Sequence, residues 1–168
     1  MKHRKETEQA VAQLKFPDKQ ETFTHVDNDT GKSRSFLIET MQHFVTDYPA
    51  CADLIYQWLP IDKKVSDYMR TNQGIEQARL DRLCDPYLSA PLLAVLWPEG
   101  ELTIVDGSHR VVKNFEMGEK KLKCVIFKYP FWENFLLPEE VSDKLVRDGC
   151  LTSDSGILAH EAKMRSGT

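Results

Sequence analysis

Leu102-Thr103-Ile104-Val105-Asp106-Gly107-Ser108-His109-Arg110 is the stretch on which the fold turns. An apolar, β-favouring run ends in a compact polar knot, and a helical spacing follows at once in Val111, Val112, Phe115 and Met117. The knot therefore sits where a strand hands over to a helix N-terminus. Such an end carries backbone N–H groups without intrahelical partners and a partial positive charge, which suits a phosphate. Gly107 lets the backbone come close to a ligand, His109 adds a titratable donor, and Arg110 adds a permanent cation. The same residues also read as an ordinary turn, because Asp-Gly is a common turn pair and Ser108 an ordinary helix N-cap.

The surrounding pattern places this turn in a small mixed sheet. Leu92 to Trp97 reads as a strand, Pro98-Glu99-Gly100-Glu101 as a turn, and Leu102 to Val105 as the second arm of a hairpin. A helix is expected from Ser108 to Met117 with Gly118 just past its end, followed by a strand from Leu122 to Tyr129. Upstream, Ile61 to Asn72 and Ile75 to Leu83 have helical spacing, the latter with Ile75, Ala78 and Leu83 inward. Residues 1 to about 20 read as a charged segment with a thin apolar stripe, Val11 and Leu14, whose helix ends near Phe16-Pro17. Thr22 to Asp27 alternates like a strand, and Asn28 to Lys32 is a strong turn. Ser35 to Ile38 is either its hairpin partner or the start of the helix that Leu37, Met41, Phe44 and Val45 mark. Cys51 to Leu59 is expected as a second short helix closed by Pro60.

After Pro130, the aromatics Phe131, Trp132 and Phe135 are read first as a core or lid element. The other reading is an exposed platform for a base, a protein partner or self-association. Pro138-Glu139-Glu140-Val141 opens a last helix that Gly149 stops, and residues 152 to 168 have the composition of a loose tail.

The order and spacing of these pieces resemble the ParB/sulfiredoxin-like superfamily. Asp106-Gly107-Ser108-His109-Arg110 is similar to its Gly-x-His-Arg or Gly-x-Arg-Arg turn. The strand led by Pro91, the Met117-Gly118 helix stop with Leu122 to Phe127, and the Leu59-Pro60-Ile61 segment resemble its other landmarks, so the likeness covers roughly residues 59 to 128. The resemblance implies an α+β fold, a small mixed sheet flanked by helices; residues 1–58 precede it and read as a helical N-terminal elaboration, in which a short hairpin is one reading of residues 22–38. The domain itself would span 59–150, with 151–168 a flexible tail.

It also implies nucleotide phosphates, from ATP or ADP with Mg²⁺, at Gly107, Ser108, His109 and Arg110. Asp106 and His109 would be the catalytic pair, with Asp106 also the metal ligand. Arg79 and Arg82, on the helix before the Pro91 strand, stand where the superfamily carries phosphate contacts, and residues at i and i+3 share a helix face. The alternative for both arginines is a solvated face.

The branches differ in what they fit. Sulfiredoxins need a cysteine where this chain has Ser108, so their chemistry is not expected. Partition ParB proteins carry arginine where this chain has His109, and a long helix-turn-helix region for which the remaining length is too short. Free-serine kinases carry Asp-Gly-His-His-Arg, but no glutamate stands near Pro60-Ile61-Asp62 to match their base, leaving Asp62 or Asp106. Small Osa-like proteins of mobile elements, nucleases or ATPases, share a similar turn. The reading is therefore an ATP- or ADP-dependent phosphotransferase or ATPase. A DNA nuclease is the alternative, needing a basic surface from Lys113, Lys120, Lys121 and Lys123, and a non-catalytic partner-binding module is the second.

Composition bounds these readings. The chain has 168 residues, 41% apolar and 29% charged, which suits one domain with a core. Its net charge of −4 is not that of a tight nonspecific DNA binder. No run of about 18 apolar residues and no signal-like apolar stretch is present, so no membrane partner and a cytoplasmic location are expected. Cys51, Cys84, Cys124 and Cys150 are widely spaced, as reduced thiols rather than a zinc cluster.

Overall fold

The computed structural model describes residues 2–16, 20–27, 29–147 and 164–165. Helix α1 (Lys2–Ala12) is followed by a hairpin of β1 (Thr22–Val26) and β2 (Ser33–Leu37), which runs straight into α2 (Ile38–Asp47). Then come β3 (Leu54–Pro60), α3 (Lys63–Asn72), α4 (Gln77–Arg82), β4 (Leu92–Leu96) and β5 (Glu101–Asp106). The chain continues with α5 (Ser108–Glu116), β6 (Lys121–Phe127), a 3-10 turn at Phe131–Phe135, α6 (Glu139–Arg147) and the short β7 (Met164–Arg165). The architecture is the expected α+β fold, a mixed sheet flanked by helices.

The main sheet has the order β3-β6-β4-β5-β7. β4 runs parallel to β6, while β3–β6, β4–β5 and β5–β7 are antiparallel. Central strands read as unbroken apolar runs because both of their faces are covered. On one face Leu93, Val95, Val105, Val125 and Phe127 pack against rings from the hairpin, α2 and the 3-10 turn. On the other, Leu92, Ala94, Ile104, Leu122 and Ile126 meet Met69 of α3, Leu80 of α4, and Val111 and Val112 of α5.

Several expectations are corrected. Cys51 to Leu59 is not a helix: from Leu54 onward it is β3, paired with β6 from Leu54↔Phe127 to Pro60↔Lys121. Ile55, Tyr56 and Trp58 favour a pleated surface, and a partner strand far along the chain decides the outcome. The expected boundary between residues 58 and 59 falls inside this strand, and residues on both sides of it share one core. The first helix ends at Ala12 rather than near Phe16-Pro17. Helix α4 begins at Gln77, so it buries Leu80 and leaves Ala78 exposed.

Phe131, Trp132 and Phe135 are all buried in the first core cluster, so the reading of them as an exposed partner platform does not hold. Three aromatic rings in a tight turn cap the sheet more favourably than they would face water. The expected tail, 151–168, lies outside the described residues except for β7, as does Gly149. No helix among the described residues is long and apolar enough to cross a membrane.

Two outcomes test this packing. The Asp27 carboxylate accepts the Asp29 and Thr30 amides at 2.8 and 3.1 Å and closes the β1–β2 turn. The Thr30 and then the Asp29 donor hold its carboxyl below the usual range. A depressed folded value contributes stability above the unfolded value and loses it as pH falls through the folded one. Asp27→Ala should therefore lower the melting temperature at pH 7, and the gap to wild type should narrow as pH falls below the ordinary carboxylate range; a gap unchanged at acid pH would rule out the carboxylate as its source. Cys124, its thiol pushed up to about 12 by burial, should resist thiol reagents until unfolding, while exposed Cys84 labels at once.

Candidate functional site

The strand-to-helix turn is built around a glycine that no other residue replaces easily. Gly107 is the N-cap of α5 with φ +114°, in the left-handed region. A Cβ there would collide with the Leu92 side chain and crowd the Arg110 guanidinium at 3.1 and 3.2 Å. Just before it, the β4–β5 register shifts between Leu93↔Asp106 and Ala94↔Ile104, so Val105 is the extra residue of a bulge. Bulges bend a strand and re-aim the side chain beside them, here Asp106.

Arg110 folds back over this turn. Its Nη1 donates to the Pro91 carbonyl at 2.9 Å and its Nη2 to Asp106 Oδ2 at 2.8 Å. Gln42 Nε2 of α2 donates to the same oxygen at 2.9 Å. Both charged side chains are only 12% exposed. The guanidinium thus ties the start of β4, the end of β5 and the first turn of α5 together, and its charge is met within the protein.

Helix α5 also holds α4 at both ends. His109, 4% exposed, accepts the Glu76 amide at Nε2 (3.1 Å), at the N-cap of α4. An acceptor at Nε2 means a neutral ring with its proton on Nδ1. One turn on, Lys113 Nζ donates to the Leu80 and Leu83 carbonyls, each at 2.6 Å, where a cation suits the C-terminal end of α4. Asn114 adds a bond to Leu88 O at 3.1 Å.

This framework encloses a cleft of about 610 Å³. The residues nominated on the turn and on the helix before Pro91 all line it: Arg79, Arg82, Asp106, Gly107, Ser108, His109 and Arg110. Helix α2 supplies a further wall through Gln42, Val45 and Thr46. The arginines divide into two kinds. Arg110 is committed internally, whereas Arg79 and Arg82 are exposed and their guanidinium groups have no hydrogen bond or ion pair among the described residues.

Other nominees lie elsewhere. Asp62 caps α3 by accepting the Val65 amide at 2.9 Å and does not line the cleft. Lys113, Lys120, Lys121 and Lys123 are also off it. The described residues include no group of three or more His, Cys, Asp or Glu suited to a metal ion. Gln42, Cys84 and Tyr87, which also line the cleft, were not nominated. They sit on α2 and on the loop after α4, where no local pattern marks them.

No family model, curated protein or solved structure matches this chain.

The Asp106–Arg110 pair gives a direct test. Arg110→Ala leaves a nearly buried carboxylate facing Gln42 alone and should destabilise the fold by about 3 kcal/mol. Adding Asp106→Asn to it should cost less than the two single losses combined, read by urea titration as a positive coupling. Strict additivity would mean that the two side chains do not support each other.

Proposed function

We propose that the chain binds a nucleotide, ATP or ADP, with its phosphates between the N-terminus of α5 and the side chains of Arg79 and Arg82. The observation that carries this reading is the pairing of two uncommitted arginines with a helix N-terminus in one cleft. A helix N-terminus capped by glycine offers backbone amides to an anion without an intervening side chain. Two guanidinium groups one helical turn apart add planar, multivalent donors suited to phosphate oxygens. A cleft of about 610 Å³ is within the range of small-molecule sites, about 300–1,000 Å³.

In this reading Arg110, Asp106 and His109 have a different task from direct contact. Arg110 and Asp106 set the turn, and His109 with Lys113 sets α4, so that the outer arginines face the same space as the α5 terminus. The carboxylates lining the cleft are Glu21 and Asp106, and Asp106 already accepts from Arg110 and Gln42. Magnesium would therefore arrive held mainly by the nucleotide's own phosphates, as is usual for that ion. Phosphotransfer or hydrolysis builds on this binding mode, with the arginines and the helix end stabilising charge on the transferred group. The nuclease alternative needs a basic surface around the turn, and the four lysines that would form it lie off the cleft.

The test is thermal denaturation with ATP and ADP, each with and without Mg²⁺. Nucleotide at about ten times its Kd should raise the melting temperature by a few degrees. In Arg79→Ala/Arg82→Ala the rise should vanish while the ligand-free melting temperature holds, since both side chains are exposed. A rise that survives in the double variant, or none with any nucleotide at millimolar levels, rejects the reading.

A further inference from the structure

At the opposite edge of the sheet, away from the cleft, two aromatic side chains stand in water. Trp58 is 57% exposed and Tyr56 42% exposed, both on β3. They are two residues apart on one strand, so they share a face, about 6.6 Å from each other along it. The same face is buried at Leu54, at the start of β3, and at Val125 and Phe127 on β6, all in the first core cluster. The covering layer stops short of Tyr56 and Trp58, and among the described residues β3 is the edge strand.

Lysines from β6 are laid across this pair. Lys123 sits opposite Trp58 and Lys121 opposite Pro60, and each reaches diagonally to the next ring. Lys121 Nζ lies 5.1 Å from the centre of the Trp58 ring, and Lys123 Nζ lies 5.5 Å from that of Tyr56. The Tyr56 hydroxyl donates to Pro49 O at 2.6 Å, which fixes that ring in place. Neither lysine forms an ion pair with a carboxylate among the described residues. Rings and cations thus alternate on one surface, each cation near a ring and none neutralised.

We propose that this β3–β6 surface binds single-stranded nucleic acid, with bases stacking on Trp58 and Tyr56 and phosphates meeting Lys121 and Lys123. Stacking needs exposed π-faces at a spacing an extended strand can follow, and the backbone needs unpaired cations beside them. A second copy of this chain laid on the same face would set lysine against lysine, whereas a polyanion meets complementary charge. A duplex hides its bases from the rings, so selectivity for single strands follows.

The experiment is fluorescence anisotropy of a labelled oligothymidylate of about 15 nucleotides, and of a duplex of equal length, with the full chain at low salt. The single strand should bind more tightly than the duplex and weaken as salt rises. Trp97 and Trp132 are buried, so quenching of tryptophan emission on binding should come from Trp58 and disappear in Trp58→Phe. Trp58→Ala should lower affinity about tenfold or more, and Lys121→Ala/Lys123→Ala should lower it and flatten the salt dependence. Trp58→Phe should retain most of the affinity, and Arg79→Ala/Arg82→Ala should bind as wild type. The proposal is overturned by no binding at about 100 μM protein in low salt. It is equally overturned by affinity that Trp58→Ala leaves unchanged, by loss confined to the Arg79/Arg82 variant, or by sedimentation showing a dimer that Trp58→Ala dissolves while the oligonucleotide fails to bind.

Discussion

The guanidinium of Arg110 is the joint on which the centre of this molecule depends. Three chain segments that are distant in sequence or opposite in direction meet at it: the carbonyl before β4, the carboxylate ending β5, and the first turn of α5. The left-handed glycine beside it leaves room for that side chain, and the bulge at Val105 aims the carboxylate toward it. Each of these features is unfavourable in isolation, and each becomes favourable because the others are present. A charge taken most of the way out of water is tolerable only with several partners in good geometry, which this arrangement supplies.

From that joint the rest follows by packing. Two central strands buried on both faces call for a layer on either side. The hairpin, α2 and the 3-10 aromatics form one, and α3, α4 and α5 the other. The cleft lies where the two layers meet the end of β5, so its walls come from both. That is also why residues before 59, which carry no chemical motif, nevertheless shape it through Gln42, Val45 and Thr46.

The sequence made the middle of the fold legible and left its edges obscure, for identifiable reasons. The β4–β5 hairpin, α5 and β6 are marked by local signals: a turn, a period, a glycine stop. β3 was misread because its strand character is decided by β6, and no local period reports a distant partner. Gln42, Cys84 and Tyr87 were not legible, whereas the turn residues and the two arginines of α4, which line the same cleft, were legible by type and position. Their employment was not legible. Whether a cation is committed depends on what lies across from it: Arg110 has Asp106 and Pro91, while Arg79 and Arg82 have solvent. The same limit applies to His109: the sequence marks it as one of a catalytic pair, and only the fold shows its Nε2 accepting the Glu76 amide.

Six residues make fewer than two helical turns, well below the length at which a helix persists alone in water. Helix α4 therefore has no independent existence; it is a span hung between two brackets on α5, His109 at one end and Lys113 at the other. Apart from Leu80 in the core, these brackets hold the span, so loosening either would disturb the placing of both arginines before it disturbs the sheet. The cleft is then a local state of the protein with its own, smaller, free energy of opening. An anion that bridges α4 and α5 would add to that free energy of opening, and part of its own binding energy would go into holding α4 in place.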